Sequence, residues 1–202
     1  MLEPDNRAIT QWDKSAKTYK NYDEYINNKK DRFHLTFIDL LYVSNFKGGN
    51  ANINEFENEV NKKLNDYSKR LIEIDEEFRG KELKNLTEIE LKILIVKVQD
   101  IFDLVKKSET KIDGFSYSYL STLLHFYFPD LFPILDRRVL INSKIVEVDN
   151  YKQVDKYYQI IKIEDYYEKL IRFMRNELKE SNSKLRDLDR ELFIGKIPKR
   201  KN

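Results

Sequence analysis

Apolar residues recur along this chain at three- and four-residue intervals, the spacing of one helix face, and strand-like alternation does not appear. The spacing predicts a helix over residues 33–46, with Phe33, Phe37, Leu40, Leu41 and Val43 on its apolar side. Lys47-Gly48-Gly49-Asn50 stops it with residues suited to left-handed backbone. Asn54, followed by Glu57, has the form of an N-cap pair opening the next helix, which carries Phe56, Val60, Leu64, Tyr67 and Leu71 and ends by Gly80. A wide apolar stripe from about Thr87, through Ile89, Leu91, Leu94, Ile95, Val98, Ile101, Phe102 and Val105, predicts a central buried helix. A break at 110–116 precedes a helix over 117–127, and Pro129 and Pro133 punctuate the connection to a helix starting near Asp136. Beyond Asn150 the pattern predicts one long amphipathic helix carrying Tyr158, Ile161, Tyr166, Leu170, Phe173 and Met174, then a short helix around 185–193. With 5 glycines and 4 prolines the chain has few turns, and no repeat or linker divides it. The expectation is an all-α fold in one domain, 1–202.

Composition narrows the chemistry. The 202 residues are 41% hydrophobic and 36% charged, enough for one compact core. No apolar run reaches the roughly 20 residues that span a bilayer, and the first residues lack the apolar core of a signal peptide, so the expected setting is the cytoplasm, away from membranes. The absence of cysteine excludes disulfides and cysteine-held iron–sulfur clusters, and two isolated histidines, His34 and His125, offer no metal-ligand spacing. Neither a metal nor another cofactor is expected. Net charge is only +2, but it is unevenly spread. Residues 54–90 hold 11 acids against 7 bases, whereas the last seven residues, 196–202, hold four bases and no acid.

Residues 112–139 carry the chemical signal. A glycine-containing hairpin between two helices offers backbone N–H groups and a helix N-terminus to an anion such as a DNA phosphate. About twenty residues later a proline-bounded turn sets Asp136 at the head of the next helix, where it can face the same strand.

This segment resembles the helix–hairpin–helix DNA glycosylases, the superfamily of endonuclease III and adenine DNA glycosylase. Ile112-Asp113-Gly114-Phe115-Ser116 stands where that family has its Leu-Pro-Gly-Val-Gly hairpin, within a hairpin region of 110–117, and Ser116 replaces the second glycine. Pro133-Ile134-Leu135-Asp136, followed by Val139, is similar to the family's Pro-x-x-Asp-x-x-Val motif. The resemblance implies that Asp136 is the catalytic aspartate. It implies DNA contacts from Gly114, Phe115, Ser116, Ser118, Arg137 and Arg138. Ser118 falls where bifunctional members carry the lysine of glycosylase/lyases, so the implied reaction is monofunctional hydrolysis to an abasic site. Residues 36–50 resemble the family's early helix ending in Leu-x-Ser-x-Gln, with Phe46 in place of the glutamine. By that likeness Asn45, Phe46 and Lys47 wedge into the DNA stack or line the base pocket, together with Tyr117. The partner implied is double-stranded DNA, bound by a monomer, and the excised base is either a damaged one, in repair, or a modified one in foreign DNA, in antiviral defence.

Each residue also has a plainer reading. Asp136 suits an N-cap whether or not it is catalytic. Gly114 suits any helix–helix turn, and Gly48 and Gly49 suit a helix stop. Phe46 suits the core, Arg137 and Arg138 suit solvent, and Trp12, Tyr117 and Tyr119 suit ordinary packing as well as base stacking. His125 reads as a satisfied buried side chain rather than a general base. The rival functions are a non-catalytic DNA-binding module and a helical interaction protein.

Overall fold

The computed structural model describes residues 2–49, 52–181 and 183–198. Asn50 of the glycine stop and most of the basic tail, 199–202, lie outside the described residues. The fold is all-α: α1 Asn6–Asn27, α2 Phe37–Phe46, α3 Glu57–Phe78, α4 Glu88–Asp103, α5 Tyr117–Tyr127, α6 Arg137–Asn142, α7 Tyr167–Glu180 and α8 Leu185–Ile194. Short 3₁₀ turns, Leu83–Asn85 and Ile163–Tyr166, lead into α4 and α7. No described helix is long and apolar enough to cross a membrane.

Local chemistry sets the helix starts. Thr87 and Glu90 form a reciprocal capping box at α4, where the sequence predicts it, and α5 runs over the predicted residues. Helix α2 opens later than the spacing predicts, because Thr36 and Asp39 form its capping box. Asn54 does not cap α3; that position is Phe56, and the neighbouring Glu55 is drawn away to Lys63 and the Asp113 amide. The long helix predicted beyond Asn150 is also corrected. Asp155 accepts the amides of Tyr157 and Gln159, both at 2.8 Å, and Tyr158 and Lys162 adopt positive φ. Side-chain capture of backbone donors here overrides the helical spacing, and the helix starts only at Tyr167.

The sequence reading omits α1. Its inward stripe is Ala8, Trp12, Ser15, Tyr19, Tyr22 and Ile26, with strict alternating steps of four and three, but a serine and an alanine dilute the apolar signal. This helix packs against α2, α5 and α8, while α8 also packs on α6 and α7 and α3 lies on α4. One continuous core runs from Tyr22 to Leu192.

A buried carboxylate ties the first of these contacts together. Asp39 is 0% exposed and accepts the Tyr22 and Tyr127 hydroxyls at 3.1 Å each, the Thr36 amide at 2.8 Å and Lys29 Nζ at 3.0 Å. One side chain thereby links α1, α2 and α5. Replacing Asp39 by Ala strands a nearly buried ammonium and several donors, so urea unfolding should register a loss of about 3–5 kcal/mol. A loss below about 1 kcal/mol would show that the network does not hold these helices.

Candidate functional site

Residues 132–136 cross the protein interior as an extended strap, and side chains satisfy its backbone. On α5, Ser118 Oγ donates to the Leu135 carbonyl at 2.7 Å, Ser121 Oγ accepts the Leu135 amide at 2.9 Å, and His125 Nδ1 meets the Phe132 carbonyl at 2.7 Å. Tyr167 of α7 donates to the Pro133 carbonyl at 2.8 Å, and Asp189 of α8 accepts the Ile134 amide at 3.4 Å. The polar positions Ser118, Ser121 and His125 thus form a helical stripe dedicated to the strap. Burial pushes His125 down to about 3, which keeps it neutral and suits the structural part expected of it.

The strap delivers Asp136 to the head of α6. Its Oδ1 accepts the Arg138 amide at 2.8 Å, an N-cap bond, and its Oδ2 accepts Lys47 Nζ at 3.0 Å. Lys47 reaches it from the end of α2, where Gly48 and Gly49 take φ of 89° and 71° and turn the chain away. Burial works to raise the pKa of Asp136, but the Lys47 ammonium and the two hydrogen bonds outweigh it, and the carboxyl sits below its ordinary value. Asp136 is therefore an ionised carboxylate in partly buried surroundings, 20% exposed.

Beside it opens a cavity of about 100 Å³ between α1, the end of α2, the strap, α6 and α8. Trp12, Phe46 and Phe193 supply aromatic walls, with the Trp12 and Phe193 rings 5.6 Å apart. Lys47, Asp136, Arg186 and Asp189 supply charge. The Arg186 guanidinium lies 3.8 Å over the Trp12 ring and 4.5 Å from Tyr19. Burial lifts Asp189 to about 7 and the nearby Asp136 charge adds to it, although Arg186 and the Ile134 amide oppose the rise.

The sequence candidates divide. Lys47, Phe46 and Asp136 meet at the cavity, Phe46 as a half-buried wall. Asn45 is exposed beside them. Tyr117 is not a lining residue of this cavity; it packs on Phe102 in a separate groove beside α4. Phe115 belongs to the core, edge-on to Tyr67. Arg138 is not a solvated arginine: it binds Asp5 and the Phe193 and Gly195 carbonyls, pinning the start of the chain to the end of α8. Arg137 donates to the Tyr158 carbonyl at 3.2 Å.

In the hairpin, Gly114 has φ of 85°, and any side chain on it would run into the Asn52 carbonyl. The close approach that demands glycine comes from the chain itself. The Asp113 amide donates to Glu55 at 2.7 Å, and Lys63 holds the same carboxylate. Ser116 is exposed at the N-cap of α5.

Sequence reasoning misses Arg186, Asp189 and Phe193. The legible signal is Asp189, an acid on the Leu185, Leu188 and Leu192 face of α8. In comparisons with known proteins, no family model, curated protein or solved structure matches this chain.

The Asp189 pKa has a consequence for stability. Because its folded value lies above the ordinary 3.8, the folded state binds this proton more tightly, and the stability it brings is present below about pH 4 and lost as pH rises through about 7. Asp189→Asn removes that loss while keeping an acceptor for the Ile134 amide. The variant should melt higher than the parent at pH 8, with the gain vanishing toward pH 4; a constant difference across that range would refute the assignment.

Proposed function

We propose that this protein is a DNA N-glycosylase of helix–hairpin–helix type, which extrudes a damaged or modified base from double-stranded DNA and hydrolyses its glycosidic bond. The observation that carries the reading is the ionised Asp136 on a rigid strap at the wall of an aromatic-lined cavity. The resemblance of residues 112–139 to that superfamily supports the same assignment.

The reaction asks little of the protein. A base within the duplex is out of reach, so it rotates out of the stack at a cost of a few kcal/mol, which aromatic stacking and hydrogen bonds in the cavity offset. As the glycosidic bond breaks, positive charge builds on the deoxyribose, and the fixed Asp136 carboxylate stabilises it without reorganising. The base leaves with the bonding electron pair, the same carboxylate accepts a proton from the attacking water as its oxygen bonds the sugar C1′, and that proton passes on to the departed base. In the free protein Lys47 supplies the countercharge that the sugar cation provides during reaction.

The competing reading, a non-catalytic DNA-binding module, draws on the fact that both Asp136 oxygens already have partners, which is what a structural cap needs. It leaves the cavity without a role. Two experiments separate them. Duplexes carrying damaged bases, and phage DNA carrying modified ones, are incubated with protein and treated with alkali; the parent should leave abasic sites. Asp136→Asn keeps the N-cap and should retain DNA affinity while losing at least about a hundredfold in rate, as expected when a group stabilising transition-state charge is neutralised. Full turnover by this variant would remove Asp136 from the chemistry.

A further experiment concerns the fate of the strand once the base has left. Ser118 cannot form an imine, and its hydroxyl is bonded to Leu135. Lys47 is the amine in the cavity, and the Asp136 carboxylate engages it in an ion pair at 3.0 Å. Borohydride should therefore trap little covalent complex, and the strand should stay intact until alkali. Efficient trapping that disappears in Lys47→Arg would instead make Lys47 a lyase nucleophile.

A further inference from the structure

Among the described residues three buried side-chain polar atoms have no hydrogen-bond partner, and two of them, Arg186 Nη1 and Asp189 Oδ1, belong to lining residues of the Asp136 cavity. The third, Nε of Arg175, has a different setting: the other nitrogens of that arginine hold Glu88 and the Leu86 carbonyl. Folded proteins satisfy nearly all such atoms, because a buried polar group without a partner loses hydration and gains nothing in return. Arg186 rests on the Trp12 and Tyr19 rings, yet its Nη1 donor and the Asp189 Oδ1 acceptor, both without a hydrogen bond and not bonded to each other, form a template at one aromatic cavity.

We infer that Arg186 and Asp189 read the edge of a planar heterocycle that presents an N–H beside a carbonyl oxygen or ring nitrogen, Asp189 accepting the N–H and Arg186 donating to its neighbour. The geometry has three independent supports. Asp189 is 1% exposed, so water does not compensate its open oxygen. The second oxygen of Asp189 accepts the Ile134 amide at 3.4 Å, two residues before Asp136, which fixes the reading edge relative to the carboxylate at the reaction centre. Trp12, Phe193 and Phe46 line the cavity with aromatic side chains, the Arg186 guanidinium lying 3.8 Å over the Trp12 ring.

This inference rests on the proposed function in taking the heterocycle to be an extruded base, and it adds the feature by which a base is accepted. Bases with an open donor–acceptor edge qualify. Bases methylated at the edge nitrogen do not, because they offer Asp189 no donor and set a methyl group against its buried oxygen, the situation in which a polar site discriminates most strongly.

The one tryptophan of the chain, Trp12, lies in the cavity wall, so its fluorescence reports occupancy directly. The probes are 1-methyluracil, whose methyl group stands in for the sugar and whose N3–H edge is open, and 1,3-dimethyluracil, whose edge is blocked. At pH 8 the parent should give a saturable change with 1-methyluracil in the millimolar range suited to so small a ligand. The blocked analogue should bind at least about tenfold more weakly, as the loss of a charge-assisted hydrogen bond requires.

Asp189→Asn supplies the decisive variant. With its oxygen kept on the Ile134 amide, the asparagine turns an NH₂ donor into the cavity where the parent has an acceptor, so the preference for the open edge should disappear. The higher melting temperature expected of this variant at pH 8 confirms that it folds. Arg186→Met, which keeps length and removes the donor, should weaken 1-methyluracil to a similar degree. Equal binding of both probes, no binding of either, or an unchanged preference in Asp189→Asn overturns the inference. Base release from DNA is scored separately. Edge-selective binding without base release leaves the heterocycle site standing and removes the glycosylase, whereas base release without edge selectivity does the reverse.

Discussion

Lys47 and Asp136 lie 89 residues apart in sequence and share one ion pair at 3.0 Å, on which the arrangement of the site depends. A carboxylate surrounded by aromatic and aliphatic side chains tends to take up a proton, and a neutral acid does not stabilise a developing cation. The ammonium at the end of α2 keeps it charged. Holding that ammonium in place requires α2 to sit correctly on α1 and α5, which is the work of the buried Asp39 with Tyr22, Tyr127 and Lys29. Holding the carboxylate requires the strap, whose backbone is bonded by Ser118, Ser121, His125, Tyr167 and Asp189. Two buried polar systems thus fix the two ends of one ion pair.

The interior contrasts with the cavity in this respect. Along the strap, side chains are matched to backbone donors and acceptors, at the expense of placing two serines and a histidine on the buried α5. At the cavity, by contrast, half-buried Arg186 and buried Asp189 each keep a buried atom without a hydrogen bond, and burial lifts the Asp189 carboxyl to about 7, which costs stability at neutral pH. Native proteins accept such costs where a ligand or reaction repays them. The hairpin shows a third arrangement. Its Asp113 amide, the kind of donor that attracts a phosphate, is occupied by Glu55, which Lys63 also holds.

Elements with strong apolar spacing or a clear boundary residue were legible from sequence: α4 from Thr87, α5 in full, and α6 behind Asp136. Those governed by side-chain capture of the backbone were not. Asp155 dismantles an otherwise helical pattern beyond Asn150 by taking two amides, and Glu55 shifts the start of α3 by binding residues distant in sequence. At the site, Asp136 and Lys47 were legible from motif-like segments, but their pairing was not, since it joins helices that only the tertiary fold brings together. Asp189 shares the leucine face of α8, a signal the sequence carries, whereas Arg186 lies among charges that mostly face water, so its place in the cavity is a tertiary fact. Gly114 was legible as a constrained glycine; that the constraint comes from Asn52 was not.

If a glycosidic bond breaks beside Asp136, as we propose, the free base is the direct product of that event. Duplex DNA containing damaged or modified bases, incubated with the protein and passed through a filter that retains DNA and protein, should release a heterocycle that mass spectrometry identifies as an intact free base, in amounts equal to the abasic sites left behind. DNA that is bound in a salt-dependent way yet yields no free base from any substrate would contradict the account and leave a DNA-binding protein whose aspartate only caps a helix.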